Sequence, residues 1–220
     1  MTPLIFVLAG VNGGGKSSVG GRILRRRAMN YFNPDEAAAR IREELGCSAD
    51  VANAYAWDAG KQLLEKAIRE RTNHAFEATL GGTTMPRLLG EAADAGFEVR
   101  VWFVGLATVE QHIARVQARV ARGGHDIPEA KIRERWDASR RNLVVLMPRL
   151  TELRVFDNSE ERDADTGQIP APRLLLHWQR GAVVAPPLPA LESTPEWAKP
   201  IVACALQLSR NATSMDRSET

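Results

Sequence analysis

The spacing of apolar and polar positions along this chain switches repeatedly between the signatures of strand and helix. Residues 4–9 are continuously apolar and β-prone, 10–15 are punctuated by glycine, and 17–28 can run as a helix, giving strand, loop and helix in immediate succession. Residues 31–35 read as a short second strand ending in a turn, and 36–45 as a helix opened by Asn33 or Pro34. A longer helix is expected over 52–72, where Ala56, Leu63, Leu64 and Ile68 can share one apolar face. Residues 74–80 form the third expected strand, 84–95 a helix stopped by Gly96, and 97–104 the fourth strand. Two further helices, 109–121 and 128–147, are parted by Gly123-Gly124 and Pro128. Residues 154–159 read as a fifth strand, and 174–178 with 182–184 as a final strand pair. Alternation of this kind predicts an α/β fold, a mostly parallel sheet with helices on both faces. No internal repeat is seen.

The pattern loses its period after residue 185. Pro186-Pro187-Leu188-Pro189, with Pro195 and Pro200, reads as a peripheral arm, and 211–220 as a frayed tail. The expected division is therefore a body over 1–184 and an arm over 185–220. The apolar run 3–11 lacks a basic leader and ends in a glycine-rich motif, so it is read as a buried strand rather than a secretory segment. No later run approaches the roughly 18 apolar residues needed to span a bilayer, so no membrane role is expected.

Composition narrows the field little. In 220 residues, 29 Lys and Arg face 27 Asp and Glu for a net charge of +2, too small a bias to call for nucleic acid or an anionic membrane. Cys47 and Cys204 match no metal spacing or disulfide framework, so a reducing, cytoplasmic setting is expected.

Chemistry enters with Gly10-Val11-Asn12-Gly13-Gly14-Gly15-Lys16-Ser17, which has the spacing of a phosphate-binding loop and stands between an expected strand and an expected helix. A phosphate must be surrounded by backbone N–H groups, glycines let the chain wrap without Cβ clashes, and the following helix adds a favourable field. Gly10, Asn12, Gly13, Gly14 and Gly15 would cradle ATP, Lys16 would bridge its β- and γ-phosphates, and Ser17 would ligate Mg²⁺. Ser18 is counted with the nucleotide-side residues, helix packing or capping being its other reading. The chain lacks an LSGGQ-like signature with an Asp-Glu strand end, and it lacks an Asn-Lys-x-Asp guanine clamp. A small kinase remains, with its acceptor site built from the ends of the next strands.

On the acceptor side, Asp35 follows the second strand, where a carboxylate could orient a hydroxyl and take its proton; alternatively Asn33 and Asp35 only cap the helix beyond. Glu77 interrupts an apolar strand and must meet a metal, an arginine or a substrate hydroxyl if buried. Thr79, two residues on, could bond the acceptor, and Asp157 at the fifth strand's end is a further candidate, with Asn158 and Ser159 as turn formers.

The near-neutral total hides one basic region. Between residues 111 and 141, eight Lys or Arg face four acids, a local net of +4. Arg115, Arg119 and Arg122 share one helix face, and Gly123-Gly124 could hinge an arginine-rich helical lid over phosphates.

Taken together these motifs resemble the zeta-toxin-like P-loop kinases, and within them a short bacterial subgroup described as predicted ATPases. The resemblance rests on residues 9–17, Asn33-Pro34-Asp35, Phe76-Glu77-Ala78-Thr79-Leu80, Gly124-His125-Asp126-Ile127-Pro128 and Asp157-Asn158-Ser159, and covers roughly 3–180. It implies ATP-dependent phosphorylation of a small-molecule hydroxyl, UDP-N-acetylglucosamine in the better-known toxins, often restrained by an antitoxin in trans. On it, Lys16 and Ser17 hold ATP and Mg²⁺, Asp35 is the base, Glu77 and Thr79 shape the acceptor site, and Arg119 with Arg133 or Arg135 approaches the phosphates. Where the subgroup reads Glu-Thr-Thr-Leu-Ser-Gly, this chain has Glu77-Ala78-Thr79-Leu80-Gly81-Gly82, with two hydroxyls fewer. Two other readings use the same loop: an ATP-binding switch or slow ATPase acting through a protein partner, and a nucleic-acid end kinase. The balanced charge and the lack of aromatic platforms on a basic arm weigh against nucleic acid.

Overall fold

The structure, a computed structural model, describes residues 2–21, 31–160 and 170–218. Strand β1 (Leu4–Ala9) runs into the glycine loop, after which Ser17–Gly21 winds as a short π-helical turn. The rest of the helix expected over 17–28 lies outside the described residues. Next come β2 (Tyr31–Phe32), α1 (Pro34–Leu45), α2 (Ala49–Glu70), β3 (His74–Ala78), α3 (Thr84–Asp94) and β4 (Glu98–Gly105). Helices α4 (Val109–Val120) and α5 (Glu129–Leu146) lead to β5 (Glu152–Asp157), the β6 (Arg173–Gln179) and β7 (Ala182–Ala185) pair, and α6 (Lys199–Ser218).

Among the described residues, seven strands share one sheet in the order β2-β3-β1-β4-β5-β6-β7. The first five are parallel, whereas β6 and β7 add on antiparallel. The α/β class with helices on both faces is thus observed. Central β1 shows why: Ile5, Val7 and Ala9 belong to the main core with Leu64 of α2, Leu89 of α3 and Leu143 of α5. Phe6 and Leu8, one position out of phase, pack on the other face with Val19 of the π-helical turn.

Local chemistry sets the helix ends. The Asn33 side chain accepts from the N–H groups of Asp35 and Glu36, Ser48 caps α2 and Thr108 caps α4. Two strands depart from expectation: β5 runs over Glu152–Asp157 rather than 154–159, and β3 ends early. Strand β3 stops at Ala78 rather than 80, because Leu80 turns into the left-handed region at φ 55° with its side chain fully buried.

The stretch after Ala185, expected as a peripheral arm, packs inward instead. Leu191, Trp197, Ala198, Ile201, Val202 and Ala205 all join the main core. Its periodicity is masked in the sequence by prolines that open two 3₁₀ turns, Leu188–Ser193 and Glu196–Ala198, ahead of α6. Helix α6 continues to Ser218, so the tail expected from 211 is helical as far as it is described. Among the described residues, no helix is long and apolar enough to cross a membrane.

Candidate functional site

In an open parallel sheet, ligands gather at the C-terminal strand ends where the strand order reverses, and here that point is the end of β1, between β3 and β4. The glycine loop grows out of it. Gly10 sits at φ 137° with its N–H donating to Ala78 O at 3.1 Å; a Cβ there would lie 2.2 Å from Val104 O. Only glycine fits so close to β4.

The loop is braced from three sides. His112 of α4, 1% exposed, places Nδ1 on Asn12 O at 2.8 Å. Arg135 of α5 donates from Nη1 to Asn12 Oδ1 at 2.8 Å, and Asn158 donates from Nδ2 to Gly14 O at 3.0 Å. Lys16 donates from Nζ to Gly10 O at 2.9 Å. Burial pushes its pKa down, Glu77 and Asp35 pull it back up, and Arg119 and Arg135 push with burial. Bound phosphate would supply the counter-charge this ammonium needs.

Glu77, only 6% exposed on β3, is held by donors from two segments. Its Oε1 accepts from Ser17 Oγ at 2.8 Å, from Asn33 Nδ2 at 3.1 Å and from the Tyr31 hydroxyl. A hydroxyl beside an anchored carboxylate is an oxygen donor pair that suits a hard divalent cation completed by phosphate oxygens. Among the described residues, no group of three His, Cys, Asp or Glu could hold a metal by itself.

Lys16, Asp35, Glu77, Thr79 and Arg135 line one cleft of about 460 Å³. Asp35 stands at its mouth, 3.2 Å from Arg119 Nη1, while Arg119 Nη2 donates to His125 O at 2.9 Å. The Thr79 hydroxyl accepts from Gly81 N at 3.3 Å. Asn33 does cap α1, so the cap reading is observed for that residue, yet its amide nitrogen also reaches Glu77.

Two expected site residues lie elsewhere. Arg133 is spent on exposed ion pairs with Glu110 and Glu129, both within 3.0 Å, and does not line the cleft. Asp157 is turned into its own loop by Ser159 and by Arg173 at 3.5 Å. Its neighbour Asn158, expected only as a turn former, reaches the glycine loop. Arg115 is similarly occupied with Asn158 O at 2.8 Å, and Arg122 with Ala118 O at 2.9 Å. The Ser18 side chain lies outside the described residues.

Sequence reasoning passed over Tyr31, His112 and Asn142. For Tyr31 a signal existed: it shares a side of the strand with Asn33 by the two-residue period, and both face Glu77. Asn142 of α5 bonds Leu80 O at 2.7 Å and Gly82 O at 2.9 Å, contacts across some sixty residues that no local pattern announces.

Known proteins share parts of this chain's sequence and fold. An uncharacterized protein of Haemophilus influenzae is 31% identical over 131 residues, covering 58% of this chain and 88% of that one. Among solved structures, a chain of the AvrRxo1-ORF1:ORF2 complex with ATP is similar at TM-score 0.62 and 16% identity over 93% of this chain, which spans 64% of that neighbour's length. The PezAT chromosomal toxin-antitoxin system of Streptococcus pneumoniae is similar at TM-score 0.54 and 14% identity, over 71% of this chain and 68% of that one. At such identities the likeness is one of fold alone. Residues 5–145, well over half the chain, match the family model described as an AAA domain, and the chain belongs to that family.

Proposed function

We propose that this protein transfers the γ-phosphoryl group of ATP to a hydroxyl of a small molecule. One observation carries the reading: a single cleft joins the phosphate loop, through Lys16, to two carboxylates, Asp35 and Glu77, at the neighbouring strand ends. A nucleotide-binding switch needs the loop alone, whereas transfer needs an acceptor space with a base beside it.

In this reading the loop's N–H groups, Lys16 and Arg135 hold the triphosphate, and Arg119 approaches it from the lid. Mg²⁺, with Ser17 as ligand and Glu77 beside it, would supply charge neutralisation of the β- and γ-oxygens. Asp35 orients the acceptor hydroxyl. The acceptor oxygen bonds to the γ-phosphorus, the bond from that phosphorus to the β–γ bridging oxygen breaks, and the proton passes to the Asp35 carboxylate, leaving a phosphomonoester and ADP. Thr79 and the β3–α3 loop frame the acceptor.

The zeta-toxin-like subgroup is proposed on the ordered motifs, and the fold likeness to the PezAT system supports it. An antitoxin acting in trans is part of that proposal. Lys16→Ala tests the loop: ATP-analogue affinity should fall at least about tenfold, a loss of about 1.4 kcal/mol. Unchanged affinity by calorimetry would refute the assignment of the loop.

A further inference from the structure

The cleft carries information about the charge of its acceptor. Its lining holds three cations, Lys16, Lys131 and Arg135, against four carboxylates, Asp35, Asp50, Glu77 and Asp126. Two of the cations are committed to the triphosphate end: Lys16 lies in the phosphate loop and Arg135 bonds its Asn12 side chain. The third, Lys131, is exposed and lies 3.0 Å from Glu134.

The far wall is one stripe of α2. Asp50, Asn53, Trp57 and Gly60 recur every three or four residues and all line the cleft. Asn53 is fixed by His125 Nε2 at 2.7 Å. Trp57 is 49% exposed, a large flat apolar surface left open at a pocket wall. A Cβ on Gly60 would lie 2.7 Å from Phe32 Cε1, so glycine is what admits the Phe32 ring against the helix. Asp126, whose Oδ1 accepts from the adjacent Ile127 N at 2.7 Å, closes the lid side.

A phosphorylated acceptor would need arginine, lysine or a backbone N–H nest at this end, because desolvated phosphate is held by charge-assisted donors. Among the described residues the cleft away from the loop offers the Asp50 and Asp126 carboxylates, the Asn53 amide, the Trp57 indole face and one exposed lysine, Lys131, which already faces Glu134. We propose that the acceptor carries no phosphate of its own: it is an uncharged or cationic alcohol with a flat or apolar face that lies on Trp57. This rests on the phosphotransferase reading and makes the nucleotide sugar implied by the zeta-toxin resemblance a poor fit.

The test uses the full chain loaded with Mg²⁺ and a non-hydrolysable ATP analogue. Dissociation constants are measured for charge-matched pairs, uridine with UMP and N-acetylglucosamine with UDP-N-acetylglucosamine, and for the cationic 2-amino-1-phenylethanol. Each unphosphorylated member should bind at least about tenfold tighter than its partner, with the aryl amino alcohol tightest. Trp57→Ala should raise the acceptor dissociation constant about tenfold while leaving that of the analogue unchanged, and Trp57→Phe should restore it. Replacing Asp50 and Asp126 together by Asn should narrow the preference. The proposal is overturned if the phosphorylated members bind as well or better, if the Asp50 and Asp126 replacements leave the preference intact, or if no unphosphorylated member binds. Failure of the analogue itself to bind would instead bring down the phosphotransferase reading, so the two failures are told apart.

Discussion

His112 shows how a single side chain ties the site to the stability of the whole molecule. Burial pushes its pKa down to about 4, Lys16, Arg115 and Arg140 add to the push, and the bond to Asn12 O opposes it. His74, stacked on Phe76, is likewise lowered by burial to about 4. The sign follows from which state binds protons. Between the unfolded value near 6.5 and about 4 the unfolded chain takes up protons that the folded chain refuses. The stabilisation is therefore complete above about 6.5 and is lost as the pH falls toward 4, by up to roughly 3 kcal/mol for each histidine. Denaturation midpoints at pH 7.5 and pH 5 should differ accordingly, and His112→Phe should flatten the slope while lowering stability at pH 7.5. A wild-type midpoint that does not move between those pH values would contradict the buried, neutral histidines.

Legibility at this scale follows locality. Lys16 and Ser17 are readable because the loop's chemistry is contained in eight consecutive residues. Which of Asp157 and Asn158 turns inward is not readable, because it depends on how the strand end meets β6 and on Arg115 from a distant helix.

Among elements, the loop between β3 and α3 is the most constrained. Arg135 lies across Gly81 so closely that a Cβ there would stand 2.6 Å from its Cγ and 3.2 Å from its Cα. Glycine at this position, where the zeta-toxin-like subgroup that the chain resembles has serine, lets α5 close on the loop and carry Arg135 to Asn12. Gly81→Ser would add a hydroxyl but push α5 away, at a cost of about 1–3 kcal/mol. ATP-analogue affinity should weaken with it. A Gly81→Ser protein of wild-type stability and affinity would show that the close approach is not required.

The alternation of strands and helices was legible because periods of two and near four are written into every buried face. The early end of β3 was not, since Asn142 fixes the Leu80 turn from α5. Trp197 repeats that lesson: its ring covers Gly105 of β4, where a Cβ would lie 2.4 Å from it. A proline-rich stretch read as an arm therefore supplies part of the core. Trp197→Ala should cost roughly 3–5 kcal/mol by chemical denaturation, whereas a true arm would lose almost nothing.

For the whole molecule, strand order places everything chemical at one end of the sheet. β1 is central, the loop leaves its C-terminal end, and β2 and β3 bring Asp35 and Glu77 beside it on one side. On the other side β5 brings Asn158 to the loop. The net charge of +2 conceals an arginine-rich α4–α5 pair, whose cations divide between the site and ion pairs away from it. Arg119 and Arg135 face Asp35 and Asn12, while Arg133 and Arg140 pair with Glu110 and Asp137.

In the function proposed above, this cleft moves a phosphoryl group and Asp35 receives the proton. The direct measurement is transfer of label from γ-labelled ATP to a panel of small alcohols, made in parallel with ATP-analogue binding, for the wild type and Asp35→Asn. A labelled phosphomonoester is expected from the wild type, and in Asp35→Asn a loss of at least about a hundredfold in transfer rate, the usual scale of general-base catalysis, with analogue affinity unchanged within about twofold. Transfer that survives Asp35→Asn undiminished would contradict it.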